Sequence, residues 1–344
     1  MLSKKKPAVG LDIGSCLVKF VEIQGLPKAP SLVNYGICRL LPDAIVDGEV
    51  MDREVVIDTV KTLFDTRGEK NKDIVVSVSG RGVIVKKISM EKMKESEAQE
   101  QIRWEAEQHI PFDINDVSLD FEIVNPEAEG GQMEVLLVAA KSEIVSSRVT
   151  LLREAGLNPI AVDVACFAVQ NAFEANYDSK PGELVALVNI GSEVTNINFI
   201  QDTISHFTRD IPQAGNDCSQ RIQKNLGLST DQAMDVLKGE RPEDIDADVL
   251  QSVFQSFSED LAVGIERVLP YIPGGTEKMD RVILSGGGAT IPGLAGFLSE
   301  RFSVPVEILD PMKKVSFDPA LFGADNVEKV APILSQAVGL ALRG

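Results

Sequence analysis

The sequence predicts an α/β protein of two related halves, each built on a mixed sheet, with a smaller unit inserted into the first half. Three observations lead there. A strand, a tight turn and a returning strand occur at residues 8–23 and again at 184–200, with Gly14 and Ser15 in the first turn and Gly191 and Ser192 in the second. A third strand-like run follows each, at 31–39 and 203–209, so the second half restarts the plan of the first. From Gly80-Arg81-Gly82 onward the pattern changes to strand, charged helix, two strands and helix, a separate βαββα unit over 81–156.

Taken in order, 8–13 is an apolar run and 17–23 alternates with period two, as a half-buried strand does. A helix over 52–66 places Val55, Val56, Thr59, Val60 and Leu63 on one face, and 73–79 returns as a strand. In the insert, 83–89, 118–124 and 133–140 read as strands, 94–108 and 143–155 as helices, the last closed by Gly156. Residues 158–162 return to the first sheet, and a helix over 163–176, opened by Asp163, connects the halves. The second half reads as strands at 183–190, 193–200 and 203–209, helices at 217–226, 230–238 and 246–270, a strand at 281–285 and a helix at 329–342. The expected units are 1–80 with 157–180, the insert 81–156, 181–240 with 276–344, and a helical subdomain 241–275.

At 344 residues, 44% hydrophobic and 25% charged, the chain has the make-up of an ordinary folded protein of about two domains. A formal charge of −18 argues against nucleic acid or an anionic membrane as a direct partner. Lys4-Lys5-Lys6 could open a signal peptide, but Asp12 breaks the apolar stretch that follows, and no run approaches the length of a spanning helix. A cytoplasmic location is expected. Cys16, Cys38, Cys166 and Cys218 are widely spaced and are expected to be buried thiols. His109 and His206 lack metal-ligand spacing, so no structural metal is expected.

In each turn Gly and Ser offer what a phosphate cradle needs, backbone N–H groups open to close approach and a hydroxyl beside them, although a plain hairpin also accounts for one turn alone. A third element runs from the strand 281–285 through Gly286, Gly287 and Gly288 toward a helix near Pro292. Three glycines leave a flat surface on which a purine or phosphate could lie, and a flexible link is the plainer reading of that segment by itself.

Together the three elements resemble the phosphate 1, phosphate 2 and adenosine motifs of the actin, Hsp70 and sugar kinase superfamily, a two-lobed actin-like ATPase fold. The resemblance implies ATP with Mg²⁺ between the halves. It assigns Asp12 to the metal through water and Gly14 and Ser15 to the first cradle, with Lys19 reaching the phosphates. Gly191, Ser192 and Thr195 fall to the second cradle, Gly215 to the turn before the next helix, Lys238 to the ribose or base, and Gly286, Gly287 and Gly288 to the adenosine. Asp163 is the candidate to position an attacking water. Asn189 stands where the superfamily usually carries Asp. The amide keeps shape and an acceptor but loses the charge that orients metal and water, so the residues support binding more strongly than hydrolysis. Met234 replaces a frequent Glu, removing a ribose hydrogen bond.

The position of the insert is that of the FtsA-like branch. Residues 101–112, Gln101-Ile102-Arg103-Trp104-Glu105-Ala106-Glu107-Gln108-His109-Ile110-Pro111-Phe112, with 116–120 after them, resemble the PilM family of type IV pilus assembly proteins. Trp104, the single tryptophan, is expected to pack in a core. The resemblance implies a cytoplasmic, ATP-binding adaptor that takes the N-terminal tail of the inner-membrane protein PilN in a groove between insert and first sheet. Through PilN it would be tied to PilO and the pilus motor ATPases, and so held at the inner membrane by partners. Arg81 and Val83 are candidate groove residues, and filament-forming relatives leave self-association open. Three other functions compete: a nucleotide-free scaffold, a small-molecule kinase, and an FtsA-type division protein, whose amphipathic membrane helix has no counterpart after 340–344.

Overall fold

A computed structural model describes residues 8–240, 245–272, 278–323 and 325–343. Lys4 to Lys6, Gly344 and the expected subdomain borders at 240/241 and 275/276 involve positions outside the described residues.

The first half contains β1 (Val9–Ile13), β2 (Leu17–Gln24), β3 (Ser31–Arg39), the short β4 (Ile45–Val46) and β5 (Glu49–Val50), α1 (Arg53–Thr66) and β6 (Asp73–Val78). Asp52 caps α1, its side chain accepting from the Val55 N–H. The insert follows as β7 (Val83–Glu91), α2 (Glu95–Glu107), β8 (Val117–Ala128), β9 (Gln132–Lys141) and α3 (Ser142–Glu154), the expected βαββα order. Its sheet runs β7-β9-β8, and Ile88, Met133, Val135 and Leu137 pack against Ala98, Ile102 and Ala106 of α2. Those three helix residues recur every four positions, so Trp104 falls on the opposite side and is 74% exposed; the expectation that it packs in a core is corrected.

The chain then returns through β10 (Asn158–Val164) to α4 (Ala165–Asn176). The second half holds β11 (Val185–Ile190), β12 (Thr195–Gln201), β13 (Ile204–Ile211), α5 (Gly215–Leu226), α6 (Thr230–Leu237), α7 (Ala247–Glu266), β14 (Arg281–Ser285), α8 (Leu294–Phe302), β15 (Val306–Ile308), β16 (Ser316–Phe317) and α9 (Val327–Arg343). The first sheet is ordered β10-β6-β1-β2-β3-β16 and the second β13-β12-β11-β14-β15. In both, an antiparallel three-strand meander is extended by parallel strands, the duplication expected from the sequence.

Alternation across the first sheet divides its two faces. Val9, Leu11, Val18, Phe20, Ile74 and Val76 pack with α1 and with Leu151 and Leu152 of α3. On the other face α9 lies so close to β1 that a Cβ built on Gly10 would stand 2.0 Å from the Ala337 carbonyl oxygen. Residues of α4 and α9 share one core with Val21, Val185, Leu187 and Ile283, so these two helices fill the space between the sheets. This packing brings the ends of β1, β6, β10 and β11 together. Cys166 and Cys218 are buried, whereas Cys16 and Cys38 are half-buried, and all four are free thiols. No helix among the described residues is long and apolar enough to cross a membrane.

Candidate functional site

The first turn is built by β1 and β2. Their register sets Asp12 opposite Lys19, and Gly14 N–H donates to the Leu17 carbonyl across the turn at 3.0 Å. Paired residues share a face, so Lys19 Nζ meets Asp12 Oδ2 at 2.5 Å in a nearly buried ion pair. A Cβ on Gly14 would lie 3.7 Å from the Lys19 ammonium, which therefore stands at the turn itself. Asp12 Oδ1 accepts from Gln336 Nε2 of α9 at 2.9 Å, and the same amide nitrogen donates to Ser77 Oγ at 3.0 Å.

In the second turn Gly191 N–H donates to the Val194 carbonyl at 3.1 Å. The first residues of α5 are tied to it, Gly215 N–H to the Gly191 carbonyl at 2.9 Å and Asn216 N–H to the Ser192 carbonyl at 2.8 Å. Asn189 accepts from Ser285 Oγ at 3.2 Å, while its Nδ2 donates to Asn196 Oδ1 at 3.5 Å and to Gln336 Oε1 at 3.4 Å. One amide, Gln336, thus links the Asp12 end of one sheet to the Asn189 end of the other.

The two turns face each other, with Ser15 Oγ and Ser192 Oγ 2.6 Å apart. Glu193 adds to the closure: its Oε2 accepts from Asp47 N–H at 3.1 Å, and its carboxyl is also hydrogen-bonded to Ser15. Burial pushes the Glu193 pKa up, and the Asp47 N–H draws it back down. Burial likewise raises the Cys16 thiol, while the charges of Arg39, Lys19 and Lys238 pull it down. Arg39 Nη1 also reaches Asp231 Oδ1 of α6 at 2.7 Å, a further bridge between the halves.

Asp12, Gly14, Ser15, Lys19, Asn189, Gly191, Ser192 and Gly215 are thus gathered at one place. Thr195, Lys238, Asp163 and the three glycines have contacts of their own. Thr195 is fully buried, its hydroxyl donating to the Gln213 carbonyl at 2.7 Å, so it anchors the segment before α5. Lys238 is largely exposed and pairs with Asp235 at 3.0 Å. Asp163 lies in β10 and does not open the helix, for which Val164 is the cap; its Oδ1 pairs with Arg343 Nη1 at 2.6 Å and accepts from Val164 N–H at 2.8 Å. Of the three glycines, Gly286 has φ +83° and a Cβ there would meet the Ile190 carbonyl at 2.5 Å, and one on Gly288 would meet Ile190 Cγ2 at 2.2 Å. Close approach to β11 requires both, and only Gly287 is exposed with open space above it. The helix that follows begins at Leu294, two residues past Pro292, close to where it was expected.

The Ser15 and Ser192 hydroxyls and the Lys19 ammonium together match a polyphosphate, while the Gly14 and Gly191 N–H groups close their own turns. For a divalent cation the fit is narrower. Among the described residues no three of His, Cys, Asp and Glu converge on one point; the carboxylates at the turns are Asp12, engaged by Lys19 and Gln336, and Glu193, which accepts from the Asp47 N–H. Magnesium suits such a place, since it keeps most of its waters and takes phosphate oxygens beside one carboxylate. Gln336, Ser77 and Glu193 were not picked out from the sequence. The signal for Gln336 was there: with Ser335 it is the polar interruption of an apolar run over 330–342.

The family model for type IV pilus assembly protein PilM matches residues 10–344. The chain belongs to the PilM family. A solved PilM-PilN type IV pilus biogenesis complex is 28% identical, with a TM-score of 0.86 and 98% of each chain covered. The ethanolamine utilization protein EutJ from Carboxydothermus hydrogenoformans is similar at 15% identity, TM-score 0.59, covering 98% of this chain and 92% of that one. MreB5 of Spiroplasma citri bound to ADP is similar at 15% identity, TM-score 0.55, covering 97% and 95%. The fold is actin-like, as the paired turns and duplicated sheets led one to expect.

Proposed function

We propose that this pilus assembly protein is a nucleotide-responsive adaptor that holds ATP with Mg²⁺ between its two turns and captures the N-terminal cytoplasmic tail of PilN. The observation that carries the nucleotide half is the pair of facing turns, with Ser15 and Ser192 in contact and Lys19 beside them. The partner half is supported by the likeness to the PilM-PilN complex over nearly the whole chain. In this reading Gly14, Ser15, Gly191 and Ser192 hold the phosphates, Lys19 neutralises them, and Asp12 faces the metal through water. Phosphates entering between the turns would replace the Ser15 to Ser192 contact. An extended tail seated against the insert and first sheet is an established recognition mode, and it would tie the protein to the PilN and PilO platform, to the motors and to the inner membrane through partners.

Nucleotide binding would shift the population of closed and open clefts and so alter tail affinity. The test measures fluorescence anisotropy of a labelled PilN tail peptide with and without Mg²⁺ and ATP, for the unaltered chain, Ser15→Ala and Lys19→Ala. Coupling predicts that nucleotide changes peptide affinity in the unaltered chain alone. Variants that lose ATP yet bind peptide just as the ATP-loaded chain does would refute it.

A further inference from the structure

Asp12 and Asn189 stand near the ends of equivalent strands, β1 and β11, and the side chain of Gln336 lies between them. Gln336 comes from α9, which is held against β1 on the face of Gly10. Alternation puts Asp12 on that face, and the pairing of Gly10 with Val75 puts Ser77 there too. The Gln336 amide is therefore fixed at three points. Its Nε2 donates to Asp12 Oδ1 at 2.9 Å and to Ser77 Oγ at 3.0 Å, and its Oε1 accepts from Asn189 Nδ2 at 3.4 Å. Turned over, it would set an oxygen against the Asp12 carboxylate. Asn189 is oriented in the same way. The fully buried Ser285 of β14 donates to its Oδ1 at 3.2 Å, and Asn196, whose own Nδ2 is taken by Asp210, offers Asn189 only an oxygen. Donors thus point one way along a row from Ser285 to Asn189, to Gln336, to Asp12. Bonds in such a row polarise one another toward the carboxylate at its end. A carboxylate at 189 would have no proton to pass on, so the row requires the amide. Lys19 holds the other Asp12 oxygen, Oδ2, at 2.5 Å. Each carboxylate oxygen accepts more than one hydrogen bond, so Asp12 can meet a hydrated cation without giving up Gln336.

We propose that Gln336 is the positioning residue for the magnesium carboxylate: with Asn189 and Ser285 behind it, it fixes the rotamer in which Asp12 meets the waters of a Mg²⁺ held on the phosphates. This rests on the nucleotide reading above and deepens it, because it gives Asn189 a task in metal-dependent binding in place of the charge it lacks. Gln336 acts through Asp12, and Asp12 acts through the metal. The contribution of Gln336 therefore belongs to the part of ATP binding that needs Mg²⁺ and not to the part that does not.

The test is calorimetric titration with ATP, once with Mg²⁺ and once with EDTA, of the unaltered chain, Gln336→Met and Ser285→Ala. The quantity read is the ratio of the two affinities. Gln336→Met keeps the length of the side chain and loses its hydrogen bonds, one of them to a charged group. It should lower the ratio about tenfold while ATP in EDTA binds within about twofold of the unaltered chain. Ser285→Ala leaves Gln336 on Asp12 but frees Asn189 behind it, and should lower the ratio about two- to threefold. As a small change it also decides the matter if Gln336→Met does not fold, an unchanged ratio then overturning the assignment. Three further results overturn it: a ratio unchanged in Gln336→Met, an equal loss of affinity with and without Mg²⁺, which marks a structural role, and an unaltered chain that binds ATP equally well in Mg²⁺ and EDTA. In each of these ATP still binds, so the nucleotide reading stands. An unaltered chain that binds no ATP in either buffer ends both.

Discussion

Replacing Asn189 by Asp restores the carboxylate usual in the superfamily and should destabilise this particular chain. Asn189 Nδ2 faces two acceptors, Gln336 Oε1 at 3.4 Å and Asn196 Oδ1 at 3.5 Å. A carboxylate would set oxygen against oxygen at both. Neither neighbour can turn its amide without loss, because Gln336 Nε2 serves Asp12 and Ser77, and Asn196 Nδ2 donates to Asp210 at 2.7 Å. Each unmade bond in such a setting costs about 1–3 kcal/mol, so about 2–6 kcal/mol is expected for the two. With an unfolding entropy of about 2.1 cal/mol/K per residue, that lowers the melting temperature by roughly 3–8 °C. Circular dichroism melts of Asn189→Asp and the unaltered chain without ligand measure it directly, and Mg²⁺ with ATP should narrow the gap. A ligand-free Asn189→Asp that melts at or above the unaltered chain would refute the argument that Gln336 is fixed between the halves.

Gly10→Ala should cost about 3 kcal/mol in denaturant titration, because its Cβ would meet the Ala337 carbonyl at 2.0 Å and the Ala341 nitrogen at 2.5 Å, both backbone atoms of α9. Arg39→Ala should change stability by less than about 1 kcal/mol, since its pair with Asp231 is 51% and 75% exposed; hydrogen exchange at α6 should rise if the pair holds the halves closed. His206 is held below its ordinary value of 6.5, by burial first and by Lys87 second. The unfolded chain therefore takes that proton at higher pH than the folded one, so the contribution is whole above pH 6.5 and fades as pH falls below it. His206→Gln should accordingly lose less stability than the unaltered chain between pH 7 and pH 5, as read from denaturation midpoints.

Much of the fold was legible because long periodic segments decide it. The meanders at both openings, α1, the βαββα insert and α7 all carry runs of period two or 3.6 that register in the residues themselves. The pairs β4 with β5, and β15 and β16, escaped notice because two or three residues show no period. At the site, the residues of the two turns could be found because a turn is local. Thr195 could not be excluded from the cradle by sequence, since its position follows from pairing with Ile190 on one side and Ile211 on the other. Asp163 misled because an acidic residue before an apolar helix reads as a cap, while parallel pairing with β6 extends β10 through Val164. Gln336 meets the turns only through long-range packing, yet it left a trace, a polar residue in an apolar stretch.

The central claim is that the facing turns form a nucleotide site whose state the PilN tail can sense. Calorimetric titration of the purified chain with ATP and Mg²⁺, repeated with a synthetic PilN N-terminal peptide present, tests it most directly. Saturable ATP binding at one site per chain, with an affinity that changes when the peptide is bound, is the expected result. Normal peptide binding with no heat from ATP would contradict it and leave a passive scaffold.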